Sequence, residues 1–397
     1  MTINITNLLK RINERVAVGG ASQTEQNRYA TLNKFLNGYS NVVQYRHLTH
    51  FDSAAISNEG IIALNLDSNE FYISHRNQWK KLTLGAYLDE SRVFPGDDYG
   101  FVSGGLDPSF SSLIERFPFS SFSNALTLGD LVIAKIETSG QSSELKGYTT
   151  GGSISTGAAI SEIEKFDFTN EVNVLTVGDL NYDRSGSAGL STNTHALGFA
   201  AGGATPSIPS LGTAMTRIYK FPFANETVST IHGTLYASWG ARGRSEGIGV
   251  SHTDRGFVAG GVNELTGINI NSIERFDFVN FNYSTPVANL TSANSKAAGN
   301  ASETHGYICG GFDAFSLNKI EQFSFTSPHS VSHIGDLTAA KRLISGQSSR
   351  TDGYISGGFS PSISTIETFP FSSSTPITAT TAGDLVGNRH NTVGHQV

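Results

Sequence analysis

Short runs of alternating apolar and polar residues fill most of the chain, and the runs recur with a nearly fixed spacing. Six times a glycine-aromatic dipeptide precedes a glycine pair: Gly100-Phe101 before Gly104-Gly105, Gly147-Tyr148 before Gly151-Gly152, and Gly198-Phe199 before Gly202-Gly203. The other three are Gly256-Phe257 before Gly260-Gly261, Gly306-Tyr307 before Gly310-Gly311, and Gly353-Tyr354 before Gly357-Gly358. Successive pairs lie 47, 51, 58, 50 and 47 residues apart. After each pair comes an Ile-x-x-Phe-x-Phe segment starting at Ile114, Ile163, Ile218, Ile273, Ile320 or Ile366. Glutamate follows the isoleucine in five of them and Tyr219 in the third.

Two further elements complete the unit. A Gly-Asp-Leu stands at Gly129, Gly178, Gly335 and Gly383 and degenerates to Gly233-Thr234-Leu235 and Ala288-Asn289-Leu290. Beyond each lies a strand of small residues around Gly140, Gly189, Gly249, Gly299, Gly346 or Gly394. Each repeat therefore predicts four short strands: a small-residue strand, a glycine-aromatic strand, an Ile-Glu strand and a Thr/Val-rich strand. Side chains of a strand alternate between faces, so Ile114 points away from Phe117 and Phe119, and both faces of each sheet need burial. Neighbouring sheets on either side supply it; a sandwich would leave one face wet. The first unit starts near Tyr99 without a small-residue strand, and the chain ends on an orphan one, Arg389 to Val397. The expectation is that the C-terminus supplies the missing strand of the first unit and so removes an open edge.

The order and period of these elements resemble the kelch repeat, over about three quarters of the chain. The resemblance implies an all-β, six-bladed, kelch-like β-propeller over residues 91–397. The fourth-strand tryptophan of that repeat is missing, since the tryptophans are Trp79 and Trp239.

The first 90 residues read differently. Ile5, Leu8, Leu9, Ile12 and Val16 fall on one helical stripe, and residues 23–36 form a second amphipathic pattern. Helices this short are marginal alone, so the stripe is expected to pack on a partner or another subunit, with residues 1–50 as a helical attachment segment. Residues 51–90 predict a small β-meander: 60–67, 70–74 and 78–82, the last containing Trp79. Together they make a small α+β attachment domain. The meander resembles the N-terminal module of bacteriophage tail-fibre and virion structural proteins, where it docks a variable distal domain onto the particle.

Composition narrows the functions. Charged residues are 15% of the chain, glycines number 43 and the formal net charge is −7, which argues against affinity for nucleic acid or anionic membrane. A single cysteine, Cys309, excludes an intrachain disulfide or a multi-cysteine zinc site. His47 and His50 lack a third metal ligand nearby, Asp97-Asp98 reads as a turn, and no P-loop, Rossmann or Gly-x-Ser-x-Gly motif occurs. No secretory signal or span of about 20 apolar residues is present. The expectation is a protein made in a host cytoplasm, with no cofactor, metal or enzymatic activity. A virion location, tail rather than head, is expected from the resemblance.

Two sets of residues are candidates for recognition. Lys135, Arg184, Arg244, Lys341 and Arg389 stand five residues before the small-strand glycine, with Asn294 in the sixth unit. They either ring the mouth of a central channel and hold an anion, or pair locally with Asp130, Asp179, Asp336 and Asp384 across the preceding turn. The third unit has the longest connection after its glycine pair and an enlarged one before Gly249. The latter carries Tyr236, Trp239, Arg242 and Arg244, a cluster suited to a sugar or protein contact, or else a plug between units. The leading expectation is a virion protein that binds other virion proteins, forms a homo-oligomer through Leu8, Leu9, Ile12 and Trp79, and displays the propeller to a host glycan or protein. A purely decorative or docking role and a glycan-active propeller enzyme are the alternatives.

Overall fold

A computed structural model describes residues 2–4, 41–45, 62–65, 70–75, 78–81, 98–143, 145–168, 174–192, 196–205, 216–224, 228–236, 243–280, 282–372 and 376–396. The chain divides into two compact units, Met1–Glu90 and Ser91–Val397. In the first, strands Thr2–Asn4, Asn41–Tyr45, Ile62–Asn65, Glu70–His75 and Gln78–Lys81 lie side by side in chain order. Trp79 pairs with Ser74 on the neighbouring antiparallel strand. The helical stripe with Leu8, Leu9 and Ile12 lies outside the described residues.

The second unit is all-β among its described residues and contains six antiparallel sheets built on four strands each. Sheet 1 combines Tyr99–Ser103, Leu113–Pro118 and Leu126–Asp130 with the last strand of the chain, Val393–Gln396. Sheets 2 to 6 follow in order over 139–179, 188–234, 248–289, 298–336 and 345–384. The C-terminal strand pairs antiparallel with the first glycine-aromatic strand, Val393 opposite Ser103 and Gln396 opposite Gly100. Sheets 3 and 5 gain a fifth, parallel strand at the outer edge, Asn282–Tyr283 and Ile377–Thr378, each from the connection inside the next sheet. No helix among the described residues is long and apolar enough to cross a membrane.

Three circuits of contact tie the sheets together. The small-residue strands are innermost, and each central glycine backs onto the carbonyl of its equivalent in the preceding sheet. A Cβ on Gly189 would lie 2.3 Å from the Gly140 oxygen. The same holds for Gly249 on Gly189, Gly299 on Gly249, Gly346 on Gly299, Gly394 on Gly346 and, closing the loop, Gly140 on Gly394. Farther out, the aromatic of each glycine-aromatic strand packs on the second phenylalanine of the next sheet's Phe-x-Phe. The ring-centroid distances are 4.5 Å for Phe101 with Phe168, 4.4 Å for Tyr148 with Phe223, 4.8 Å for Phe199 with Phe278 and 5.2 Å for Phe257 with Phe325. Tyr307 with Phe371, at 4.7 Å, and Tyr354 with Phe119, at 4.5 Å, complete the circuit. Such pairs add about 1 kcal/mol each beyond the area they bury.

The third circuit explains the glycine pairs. The second glycine of each pair donates its N–H to the carbonyl of the next sheet's Lys135-type residue, as from Gly105 to Lys135 at 3.0 Å. Both residues of the pair take positive φ, 66° and 108° at Gly104 and Gly105. That conformation favours glycine, and the approach of a neighbouring main chain leaves no room for a side chain.

Candidate functional site

A β-bulge in every sheet sets the position of the conserved-looking acid of the repeat unit. The outer strand carries one extra residue opposite the Ile/Glu step: Leu128, Val177, His232, Val287, Ile334 and Ala382. Bulges re-aim side chains locally, and here the glutamate turns in beneath the connection that arrives from the previous sheet. Glu164 pairs with Lys135 at 3.0 Å and accepts the Val132 N–H at 2.9 Å. Glu367 pairs with Lys341 at 2.5 Å and accepts from Thr338 N at 3.0 Å. Glu115 holds Arg389 at 2.5 Å and Val386 N at 3.2 Å. Glu274 pairs with Arg244 and accepts from Tyr236 N at 2.9 Å. One carboxylate thus clamps the whole linker between two sheets.

This corrects both sequence readings of the basic residues. Lys135, Arg184, Arg244, Lys341 and Arg389 are buried, at most 3% exposed, and do not ring a channel mouth. Nor do four of them pair with the Asp of Gly-Asp-Leu: Asp130, Asp179 and Asp384 accept instead from Ser112, Ser161 and Ser364 hydroxyls, and Asp336 meets His333. Burial pushes the Lys135 ammonium and the Arg244 guanidinium down and the Glu115 carboxyl up, each opposed by its ionic partner. Pairing of this kind holds only because the partners satisfy each other.

The cluster expected in the third unit is likewise divided. Tyr236 is 44% exposed, with its main-chain N–H bonded to Glu274 and to Ser284 Oγ. Arg244 is buried in its ion pair, donating also to Val258 O and Ser272 Oγ. Trp239 and Arg242 lie outside the described residues.

A cavity of about 120 Å³ opens among the inner strands. Its lining is made of the inner glycines with Gln141, Ser142, Ser191, Thr192, Ser251, Asn300, Ser348 and His395. The hydroxyls of Ser191, Ser251 and Ser348 accept N–H groups from Ser142, Ser191 and Ala301 of the preceding sheet. The one titratable ring, His395, is held neutral: burial lowers it to about 4. A neutral polar wall suits water or a small uncharged molecule and supplies no acid or base at neutral pH.

Charge gathers instead at the opposite end of the inner strands, where the sheet-to-sheet linkers meet. The residue two beyond each Lys135-type position has left-handed backbone in all six repeats: Glu137, Gly186, Glu246, Lys296, Leu343 and Asn391. Five are not glycine, and such strain persists where surrounding structure imposes it. Main-chain bonds run Gly186 to Glu137, Glu246 to Gly186, Leu343 to Lys296 and Asn391 to Leu343. Burial raises the Glu246 carboxyl; Lys296 at 3.3 Å opposes this, while Glu137 and Glu264 add to it. Across from these acids, Arg342 lies 4.6 Å from the Phe312 ring centre and 5.1 Å from that of Phe359, which packs on His390 at 5.0 Å. Sequence reading missed this mouth because its members come from four separate repeats. The left-handed position, two residues beyond each recurring cation, was the signal available. Among the described residues no group of His, Cys, Asp and Glu suits a metal ion. Cys309 is buried, with its thiol pushed well up by burial.

Closed contact circuits of four-stranded sheets define a β-propeller-like all-β protein. No protein-family model matches the chain, and no curated protein matches it. Solved structures do. One, titled "Structure of YjhT", superposes with a TM-score of 0.55 at 11% identity over 72% of this chain and 99% of that one, a likeness of fold.

Proposed function

We propose that residues 91–397 form a six-bladed, kelch-like propeller used for binding, and that residues 1–90 attach it to a bacteriophage particle. The observation that supports binding over catalysis is the fate of the recurring acids. Glu115, Glu164, Glu274, Glu321 and Glu367 are buried and hydrogen-bonded to linkers, so they hold the ring and are withheld from substrate. What differs from sheet to sheet, and can therefore specify a ligand, lies at the linker end: carboxylates on one side, stacked arginine and aromatic rings on the other. Aromatic faces flanked by polar groups suit a sugar. The virion role rests on the resemblance of the N-terminal meander, with a host-surface glycan or protein as partner, other virion proteins at the N-terminal end, and homo-oligomerisation there.

Binding of the full chain to host cells and to a glycan array tests this reading. Arg342→Ala is expected to weaken binding at least tenfold, about 1.4 kcal/mol; unchanged binding removes the linker-end mouth from the proposal. A glycan-active enzyme is the second reading, favoured by Glu246, whose raised carboxyl beside Glu137 and Glu264 resembles the separation of acid and base roles in sugar hydrolysis. Release of reducing ends from host polysaccharide, abolished by Glu246→Gln, would establish it and overturn the non-enzymatic proposal.

A further inference from the structure

Sheet 3 breaks the clamp in one specific way. Arg184 occupies the place of Lys135, Arg244, Lys341 and Arg389, but the residue beneath it is Tyr219, where the four matching sheets have a glutamate. The guanidinium is 1% exposed and stands 4.4 Å over the tyrosine ring. Its Nη1 donates to Gly202 O at 2.6 Å, whereas Nε and Nη2 have no hydrogen-bond partner, and neither has the Tyr219 hydroxyl. Among the described residues no carboxylate pairs with Arg184. In the four matching sheets the same carboxylate also accepts a main-chain N–H from the residue after the outer-strand leucine. Here that residue is Asn181, which is exposed and has no glutamate to bond.

A buried cation without a counter-charge is costly. Burial lowers Arg184 to about 10, so it stays charged at neutral pH. The groups surrounding the phenol do not supply an anion: Arg217 is a second cation, and Tyr182 is a neutral, partly exposed phenol. Sheet 5 carries the reverse change, Asn294 at the cation position above an unaltered Glu321, and its asparagine is satisfied by Gly310 O and Phe312 N. Loss of the base is thus compensated within the fold, while loss of the acid is not.

We propose that sheet 3 binds a small oxyanion, which plays toward Arg184 and Asn181 the part that a glutamate carboxylate plays in the matching sheets. Two free guanidinium donors and a main-chain N–H match a carboxylate or a sulfate in geometry and charge. The Tyr219 hydroxyl is a further donor at its edge, and Arg217 adds attraction on the side of Tyr182. This site is separate from the linker-end mouth and does not depend on what that mouth recognises.

The repeat itself designs the test. Sodium acetate and sodium sulfate are titrated calorimetrically into the full-length protein and into Tyr219→Glu and Arg184→Asn, with folding checked by far-UV circular dichroism. Tyr219→Glu installs the carboxylate of the matching sheets, and Arg184→Asn installs the residue of sheet 5. The wild type is expected to show one saturable site with a dissociation constant on the order of 1 mM, weakened at least tenfold in both variants. Saturation by acetate alone assigns the site to carboxylates, and by sulfate alone to sulfate or phosphate esters. Absence of saturation with both salts, or binding unchanged in Tyr219→Glu, overturns the proposal. That variant decides the matter even if Arg184→Asn does not fold.

Discussion

The closing strand contains a group whose protonation the fold opposes, and replacing it isolates one term of acid stability. His395 is 2% exposed on the C-terminal strand, with Phe166 edge-on at 5.0 Å. Its Nδ1 lies 3.2 Å from Gln141 O, an acceptor, so Nδ1 carries the proton and Nε2 accepts from Ser103 Oγ at 3.0 Å. Burial, reinforced by the charge on Lys135, lowers the ring from 6.5 to about 4. A histidine with a depressed folded value binds fewer protons folded than unfolded. Its contribution is therefore complete above about pH 6.5 and is lost as pH falls toward 4. Linkage with these two values gives a loss of about 2.5 kcal/mol between about pH 7.5 and pH 4.5. The equivalent position is Gln141 in sheet 2 and Gln347 in sheet 6, both hydrogen-bonded to the next sheet. His395→Gln is thus expected to keep the ring closed and remove this term. Urea unfolding followed by far-UV circular dichroism at both pH values measures it for each protein. Other groups titrate in both, so the difference between their losses is the test quantity. Equal losses in wild type and variant would refute the reasoning.

Three further outcomes follow from the clamps and circuits. Glu164→Gln leaves the Lys135 ammonium buried without its counter-charge and is expected to cost about 3–5 kcal/mol in urea unfolding; joint replacement by Lys135→Met and Glu164→Leu should recover much of that. Gly189→Ala places a methyl against the Gly140 carbonyl and should cost about 2–3 kcal/mol. Gly157→Ala, with φ of 80° but open space around it, should cost only about 1 kcal/mol. Deleting residues 389–397 removes the inner strand of sheet 1 and the Arg389 end of a clamp, so light scattering should show association; a folded monomer would show that closure is dispensable.

The sequence by itself determined the strands, because each is a local pattern stated six times and a repeated signal is hard to misplace. It also marked the unit boundaries, the small inner strand and the orphan segment at the C-terminus. Pairing of charges was decided only by the tertiary structure. Lys135 has Asp130 five residues away and Glu164 twenty-nine away; proximity along the chain favoured the first, and the bulge at Leu128 and its equivalents delivered the second. Arg244, which belonged to an apparent surface cluster by sequence, went into the interior for the same reason. The mouth formed by Glu137, Glu246, Glu264, Arg342 and Phe359 was illegible for a different cause: a ring brings together residues a full repeat or more apart, and no local pattern records which of them share one end of its axis.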